Sequence, residues 1–543
     1  MTKIEKNIID IIKASLKKAF PEVLDTGMKG IELEVPKEKR FGDFSTNIAM
    51  KLSRELKKSP LDIAGIIAKE LKVSDFIKDV KIEKPGFINF YLSDDAVIDT
   101  LKDIIKEGPS FGGSAIGKGK KVQIEFVSAN PTGPLTVAHG RQAAIGDSLA
   151  RILEFCGYKV TREYYINDEG VQIQALGKSL KARFMEIRGG KSEFPENGYK
   201  GRYIYDMAQK IKDNGKPAAL SDDFFMEYAA KEIMKTIIKD LEDFGVVFDV
   251  WYSQKALSKS GRIEKSLKIL KDKGFLYEKD GATWFKSTGF GDDKDRVVIK
   301  NDGSYTYVTP DLAYHKEKFD QGYEMIINIW GPDHHGYINR IKAACQALGY
   351  DKDKLSILIA QLVTLYREGK PVRMSTREGE FITLREVMEE VGKDAARFFF
   401  IMRRTDSHLD FDLALAKAKT MDNPVYYIQY AYARISSIID FSKNMKTDLE
   451  NLRFLDKPEE IDIIKMLIQY PKIIAVCRHN LEPYILLSYL QDLASLFHSY
   501  YNVYRVVTDD RTLTEARINL ARSVRTVLSS GLNLLGVSAP EKM

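Results

Sequence analysis

Very little in this chain could crosslink it or anchor it to a membrane. Its 543 residues include three cysteines, Cys156, Cys345 and Cys477, far apart and without a CxxC pair. That spacing excludes a disulfide scaffold, argues against a structural zinc cluster and fits a reducing cytosol. No apolar run approaches the roughly 20 residues of a membrane span. The opening MTKIEKNIIDIIKASLKKAF resembles an amphipathic helix rather than a signal peptide, with Ile8, Ile9, Ile12 and Leu16 on one face and lysines on another. Internal repeats and low-complexity tracts are missing too. The net charge of +6 is small for this length; it is compatible with a polyanionic partner and identifies none. A cytoplasmic protein without a membrane partner is expected, a monomer by default.

What is present has a clear order. At 543 residues the chain exceeds one hydrophobic core, so about two to four domains are expected. Residues 1–110 carry helical patterns and a strand signal, KPGFINFYLS, whose alternation sends Phe90 and Leu92 one way and Asn89 and Tyr91 the other. EGPSFGGSAIGKGKK, rich in Gly, Ser and Lys, reads as a linker. Over 120–410, β-rich runs (KVQIEFV, YKVTREYYI, YEMIINIW, LSILIAQLVTLY) alternate with helical stretches, the pattern of a parallel α/β sheet. Beyond 411 the strand signals fade. PVYYIQYAYARISSIIDF puts Val425, Ile428, Tyr432, Ile435 and Ile439 on one helical face. LLSYLQDLASLFHSYYNVYRVV does the same with Leu486, Leu490, Leu493, Phe497, Tyr501 and Tyr504.

The densest signal is EFVSANPTGPLTVAHGRQAAIGD, where a strand pattern breaks into Pro and Gly and a helical pattern begins. Pro131 and Pro134 stiffen the turn, and Gly133 and Gly140 allow close backbone approach to a ligand. Thr136 and His139 face one side of the helix's first turn, where unpaired N–H groups and the helix dipole favour phosphate. Carboxylates stand where a sheet of this kind can use them. Glu125 ends the strand, and Tyr307 and Asp311 share one side of a helical turn that Pro310 would begin. Asp333, His334 and His335 lack a third His at zinc spacing, so no metal site is expected; a nucleotide-side role for Asp333 or His335 is preferred.

The run Ala129-Asn130-Pro131-Thr132-Gly133-Pro134-Leu135-Thr136-Val137-Ala138-His139 resembles the HIGH signature of class I aminoacyl-tRNA synthetases, specifically the arginyl-tRNA synthetases. YYINDEGVQIQALG, GYKGRYI, DFGVVFDVWYS, TYVTPDLAYHKEKF, IINIWGPDHHGYINRIKAA, VRMSTREGEFITLREVMEEVGKDAARFFF and LNLLGVSAPEKM look like that family in its own order, so the resemblance covers essentially the whole chain. Two departures stand out. The tetrad reads TVAH, with Thr136 for the first His and Ala138 for the glycine. The second signature, KMSK in other members, is Arg373-Met374-Ser375-Thr376, which leaves permanent charge to Arg373 and Arg377.

The resemblance implies a Rossmann-type parallel-sheet catalytic domain over 120–410 with a connecting insertion near 185–295. It adds an N-terminal α+β domain over 1–110 that contacts the tRNA corner, and an all-helical anticodon-binding domain over 411–543. The implied activity is that of an arginine–tRNA ligase. ATP, carried with Mg2+, activates L-arginine to arginyl-adenylate, and the arginyl group passes to the 3′-terminal adenosine of tRNA(Arg), releasing AMP and pyrophosphate. His139, Thr136, Arg373, Ser375 and Arg377 become catalytic candidates. Glu125, Ser128, Asn130, Tyr307, Asp311 and Gln172 become candidates for arginine, and Gly133, Ala138, His139, Gly140, Asp333, His335 and Met374 for ATP. Candidates for tRNA are Asn89 and Tyr91 near one end, and Tyr427, Tyr430, Tyr501 and Met543 near the other, although a tyrosine stripe at helical spacing is more often core. A guanidinium pocket needs at least one carboxylate for two-pronged pairing, which an ammonium cannot match.

Overall fold

The computed structural model describes residues 3–21, 30–36, 38–71, 74–190, 192–215, 220–372, 382–442, 445 and 448–543. The amphipathic opening is a helix, Lys3–Ala19, whose Ile8, Ile12 and Leu16 are fully buried. It packs on the helix Pro60–Glu70, whose start is set by Ser59 capping the Asp62 N–H and by proline in the first turn. Beside them lie β1 (Phe44–Thr46), β2 (Ile77–Glu83) and β3 (Phe87–Leu92), an antiparallel sheet with β3 in the middle. Phe90 and Leu92 are buried as the alternation requires, but the opposite face is not open. Asn89 is 2% exposed, in the central strand between Ser45 and Lys81. It lines a recess of about 350 Å³ with Pro36, Phe41 and Phe87. Tyr91 is half-buried, its hydroxyl donating to the Arg40 carbonyl at 2.5 Å.

The expected linker is a packed crossing. Phe111 is buried and stacks on Tyr470, 6.2 Å between centroids. At Gly112, with φ +89°, a Cβ would stand 2.5 Å from the Tyr470 ring. The glycine content of this stretch therefore reflects close approach to the C-terminal helices, not looseness.

Three strands follow in the core sheet: β4 (Lys121–Glu125), β5 (Lys159–Ile166) and β6 (Val250–Ser253). The last of these comes from inside the stretch expected as an insertion. Next come the antiparallel strands β7 (Leu276–Lys279), β8 (Ala282–Phe285) and β9 (Arg296–Ile299), then β10 (Met325–Trp330) and β11 (Leu355–Ile359) of the core. All neighbours in the core sheet are parallel, in the order β11-β10-β4-β5-β6. The chain winds outward from β4 through β5 to β6, and returns on the other side as β10 and β11. The direction of winding thus reverses between β4 and β10, and ligands of open α/β sheets bind in the crevice at such a point.

The run LSILIAQLVTLY, read as one β-rich stretch, divides into β11 and β12 (Val363–Arg367), which joins β13 (Lys370–Pro371) and β14 (Leu409–Asp412) in a separate sheet. Carbonyls at the break have no strand to meet. Arg141, fully buried, donates to the carbonyls of Gln361, Arg404 and Ser407 at 2.8 Å each. An interior arginine thereby satisfies the peptide groups that the sheet cannot.

The C-terminal block is helical: Pro424–Phe441, Pro458–Asn480, Tyr484–Val503 and Arg511–Leu534. Val425, Ile428, Tyr432, Ile435 and Ile439 form the buried face expected. On the third helix the buried seam ends on Tyr500, whose hydroxyl donates to Glu460, while Tyr501 and Tyr504 are only half-buried.

Candidate active site

The loop after β4 is bent by two residues that resist it. Val127 and Ser128 both have positive φ, +69° and +41°, unfavourable for any side chain and most of all for a β-branched one. The fold over-determines this turn. Ser128 accepts the Tyr165 N–H at 3.1 Å and donates to Glu125 at 3.0 Å. Tyr164 donates to the Ala129 carbonyl at 2.8 Å, and Tyr203, from GYKGRYI, to that of Thr132 at 2.6 Å. Asn130 and Gln172 meet directly, 2.7 Å apart. The helix Val137–Phe155 then begins at Thr136, whose backbone N–H donates to His139 Nδ1 at 3.1 Å. With Nδ1 accepting, the ring proton sits on Nε2. Burial holds the imidazole neutral, its pKa pushed down to about 4 against the charge of Asp333. His139 therefore offers a hydrogen bond and not a charge, unlike the charge-neutralising role that its place beside a phosphate suggests.

Gly140 differs from expectation as well. A Cβ there would stand 2.7 Å from Leu384 and 2.9 Å from Phe400, so this glycine serves helix packing rather than close approach to a ligand. Thr383 bridges to Thr136, and the Leu384 N–H donates to Leu135, which brings the chain after the second signature beside the first. Arg373, Met374, Ser375 and Arg377 lie outside the described residues.

Beneath the loop is a buried polar cluster. Lys318, 1% exposed, donates to Glu125 at 2.5 Å and to Asn328 at 3.0 Å, and lies 3.9 Å from Glu163. Tyr314 donates to Glu125 at 3.0 Å and also to Glu163, which accepts from Gln123 at 2.7 Å. His315 closes the ring against Asn328 at 2.9 Å. Burial alone would raise the Glu125 pKa, but the Lys318 charge and hydrogen bond prevail and hold it below the ordinary carboxylate value. For Glu163 burial wins and the pKa is raised. Register explains the meeting: Glu125 on β4 is opposite Asn328 on β10 and Glu163 on β5.

Asp311, Tyr314, His315 and Lys318 share one face of the helix Val308–Asp320. That helix begins at Val308, so Pro310 is its third residue and not its first. The first-turn N–H groups have no partners in any case, which is why proline is tolerated there. Burial and the nearby Glu125 charge raise the Asp311 pKa to about 7, with Lys318 and Arg340 opposing. Tyr307 stands at the N-cap position without a side-chain capping bond and is 76% exposed. Asp333 and His335 lie in the exposed turn Pro332–Tyr337 after β10, Asp333 being 3.2 Å from His334. No group of three His, Cys, Asp or Glu among the described residues could hold a metal ion.

Glu125, Ser128, Asn130, Gln172, Thr136, His139, Asp311 and Asp333 thus gather at the C-terminal ends of β4, β5 and β10. Lys318, Tyr314, Glu163 and Asn328 were not singled out from the sequence. The signal was present: polar residues at 311, 314, 315 and 318 follow a core spacing in DLAYHKEKF. In the C-terminal block, Tyr430, Tyr501 and Met543 line one recess of about 660 Å³. Arg434 lies over both tyrosine rings, at 4.6 and 5.0 Å. Tyr427 instead packs on the His498 ring at 4.6 Å, and Asn89 and Tyr91 belong to the N-terminal sheet.

An open parallel sheet, a strained loop at its switch point and a helix N-terminus with a neutral His define a nucleotide-binding α/β enzyme. Comparison with known proteins narrows this. Residues 6–92 match the family described as "Arginyl tRNA synthetase N terminal domain", residues 100–409 "tRNA synthetases class I (R), catalytic domain", and residues 428–543 "DALR anticodon binding domain". Relatives named arginine–tRNA ligase include one from Desulfosudis oleivorans, 47% identical over 98% of this chain and 99% of its own, and one from Carboxydothermus hydrogenoformans, 46% identical over 98% and 97%. The fold is similar to that of the Thermus thermophilus arginyl-tRNA synthetase, with a TM-score of 0.79 and 21% identity over 99% of this chain and 100% of that one. The chain belongs to the arginyl-tRNA synthetase family of class I.

Proposed function

We propose that the site at the switch point charges tRNA(Arg) with L-arginine in two steps. A carboxylate oxygen of arginine attacks the α-phosphorus of ATP, which enters with Mg2+ as its counter-ion. The bond to the β-phosphate oxygen breaks, pyrophosphate leaves and arginyl-adenylate remains. The 2′-hydroxyl of the terminal adenosine then attacks the arginyl carbonyl carbon, and AMP departs. Neither step needs a covalent enzyme intermediate; positioning and fixed donors carry the chemistry.

The observation behind this reading is the pairing of a phosphate-ready helix mouth with a half-buried carboxylate, Asp311, that a guanidinium would complete. His139 Nε2–H and Thr136 face the nucleotide phosphates, Gly133 and Ala138 form the nucleotide's side of the helix mouth, with Gly140 packing the helix behind them, and Asp333 and His335 serve its ribose or base. Arg373 and Arg377 supply cationic charge to the departing pyrophosphate, with Met374 and Ser375 between them. Asn130, Ser128 and Gln172 orient the amino acid's α-groups, while Tyr307 flanks the side chain. Tyr430, Tyr501 and Arg434 stack anticodon bases next to Met543, and Tyr427 supports them from behind. Residues 1–110 meet the tRNA corner, Asn89 acting from within its recess and Tyr91 beside it. The chain acts as a monomer in the cytoplasm; among the described residues no helix is long and apolar enough to cross a membrane.

The test is exchange of pyrophosphate into ATP with each amino acid, with and without tRNA, followed by aminoacylation of total tRNA. Arginine-dependent exchange and arginyl-tRNA are expected. Charging with another amino acid, or none, ends the reading. Arg377→Ala should slow activation far more than it weakens tRNA binding; equal losses would remove its phosphate role.

A further inference from the structure

Behind the recess lined by Tyr430, Tyr501 and Met543 stands a buried histidine that does not line it. His498 is 5% exposed and sits on the helix Tyr484–Val503, facing the helix Pro424–Phe441. Its two ring nitrogens meet different groups. Nε2 is 3.2 Å from the Tyr427 carbonyl oxygen, which can only accept, so Nε2 carries the proton and donates. In the neutral ring Nδ1 is then an acceptor, and Arg434 donates to it through Nη1 at 3.4 Å. Burial lowers the imidazole pKa, the Tyr427 bond opposes it and the Arg434 charge adds to it, which keeps the ring neutral.

The arginine so held has no carboxylate to answer it. Among the described residues Arg434 forms no ion pair with Asp or Glu. Its other arm, Nη2, donates to the Tyr430 hydroxyl at 3.0 Å, and the guanidinium lies over the Tyr430 and Tyr501 rings. The protein thus engages one side of the fork and leaves its remaining donors for acceptors in the recess. A guanidinium on a long stem loses rotamer freedom when a ligand fixes it, and one fixed beforehand loses less.

The geometry points to His498 as the residue that positions Arg434 for the anticodon: its Nδ1 holds one end of the guanidinium, so that the remaining donors meet the acceptor edge of a base stacked on Tyr430 or Tyr501. This rests on the anticodon recess proposed above and adds to it a residue that touches no RNA.

The test uses the full-length enzyme with the native tRNA(Arg) transcript and with three transcripts, each with one anticodon base replaced. The altered transcript that the wild type charges worst is then compared with the native one. His498→Gln keeps a donor toward Tyr427 and removes the acceptor toward Arg434. For the native transcript kcat/KM should fall about 10-fold, as expected for loss of a hydrogen bond to a charged group, while the altered transcript loses less than about 2-fold. His498→Asn places an amide oxygen near the Nδ1 position, and kcat/KM should stay within about 3-fold of the wild type. A residue that only stabilised the helices would slow both transcripts alike. In Arg434→Ala, adding His498→Gln should cost less than about 2-fold more, because the side chain through which it acts is gone. If glutamine prevents folding at 498, His498→Phe keeps a ring on Tyr430 without the acceptor and carries the same tests. An unchanged His498→Gln, equal losses on both transcripts, an asparagine variant as impaired as the glutamine one, or losses that multiply in the double variant each overturn the proposal. Wild-type enzyme that charges every altered transcript as well as the native one would instead overturn the recess itself.

Discussion

Two clusters of buried charge are tied to strand β4 and the helix that follows it, and they are built to different ends. At the seam between the core sheet and the C-terminal helices, Arg397 is fully buried and every arm of its guanidinium is answered. It donates to Asp147 at 2.6 Å, the Leu535 carbonyl at 3.1 Å and the Phe244 carbonyl at 3.2 Å. Asp147 in turn holds Arg151 at 2.8 Å and lies 3.4 Å from Arg162. Burial would raise the Asp147 pKa, but these arginines hold it below its ordinary value. At the switch point the floor is closed by Lys318 and Glu125, yet the cluster continues upward to Asp311, whose carboxylate has no hydrogen-bond partner among the described residues and whose pKa is raised. A closed network fixes the relation of two parts of the chain; an open one waits for a ligand.

The largest effect that could break this comparison is at the closed end. Arg397→Met would take from Asp147 the only fully buried of its three arginines, and a donor from the Leu535 and Phe244 carbonyls. Denaturant unfolding should show a loss of about 3–5 kcal/mol. A loss under about 1 kcal/mol would mean that Arg151 and Arg162 suffice for Asp147 and that Arg397 is not the structural pin described.

Asp311→Asn should behave in the opposite way. The arginine KM should rise about 100-fold, with the ATP KM little changed, because a guanidinium loses its charged partner. The thermal midpoint should hold or increase, since an amide of the same shape avoids burying an acid. A fall of several degrees in Tm would place Asp311 among the structural charges.

The raised pKa of Asp311 adds a weaker signature. In the free enzyme this group is protonated up to about pH 7, whereas unfolded it ionises near 4, so its folded-state cost grows between those values and is constant above. A bound guanidinium favours the carboxylate, so arginine releases a proton on binding. The arginine KM should fall, by at most about 10-fold per unit, as pH rises toward 7, then level off. Glu125, Lys318, Arg340, Tyr337 and Tyr165 act on the group through charge. Asp311→Asn should flatten the profile; a slope that survives it assigns the proton elsewhere.

How far this contrast was legible beforehand follows from what sets each feature. The strand, the Pro-Gly loop, the helix mouth and the apolar faces of the C-terminal helices are local, and their residue patterns show them. Lys318 and Glu125 are 193 residues apart, and only the register of β4 against β10 brings them together. Asn89 looked outward on alternation, but what covers its face arrives from Glu34, Pro36, Glu38, Phe41 and β1. Tyr500 and Tyr501 follow Phe497 by three and four residues, both permitted helical spacings; tertiary packing onto Glu460 chooses between them.

The smallest effect concerns charge that is neither buried nor near a ligand. Lys39 reaches from the N-terminal block to Asp462 at 2.6 Å, with side chains 83% and 28% exposed. Such a pair gains little Coulomb energy in water and loses side-chain entropy, so Lys39→Ala should change stability by about 0.5 kcal/mol or less. The difference should vanish at about 1 M salt, where the Debye length is about 3 Å. If Lys39→Ala instead matched Arg397→Met, ion pairing as such and not burial would hold these blocks together, and the line drawn between sealed and open clusters would lose its physical basis.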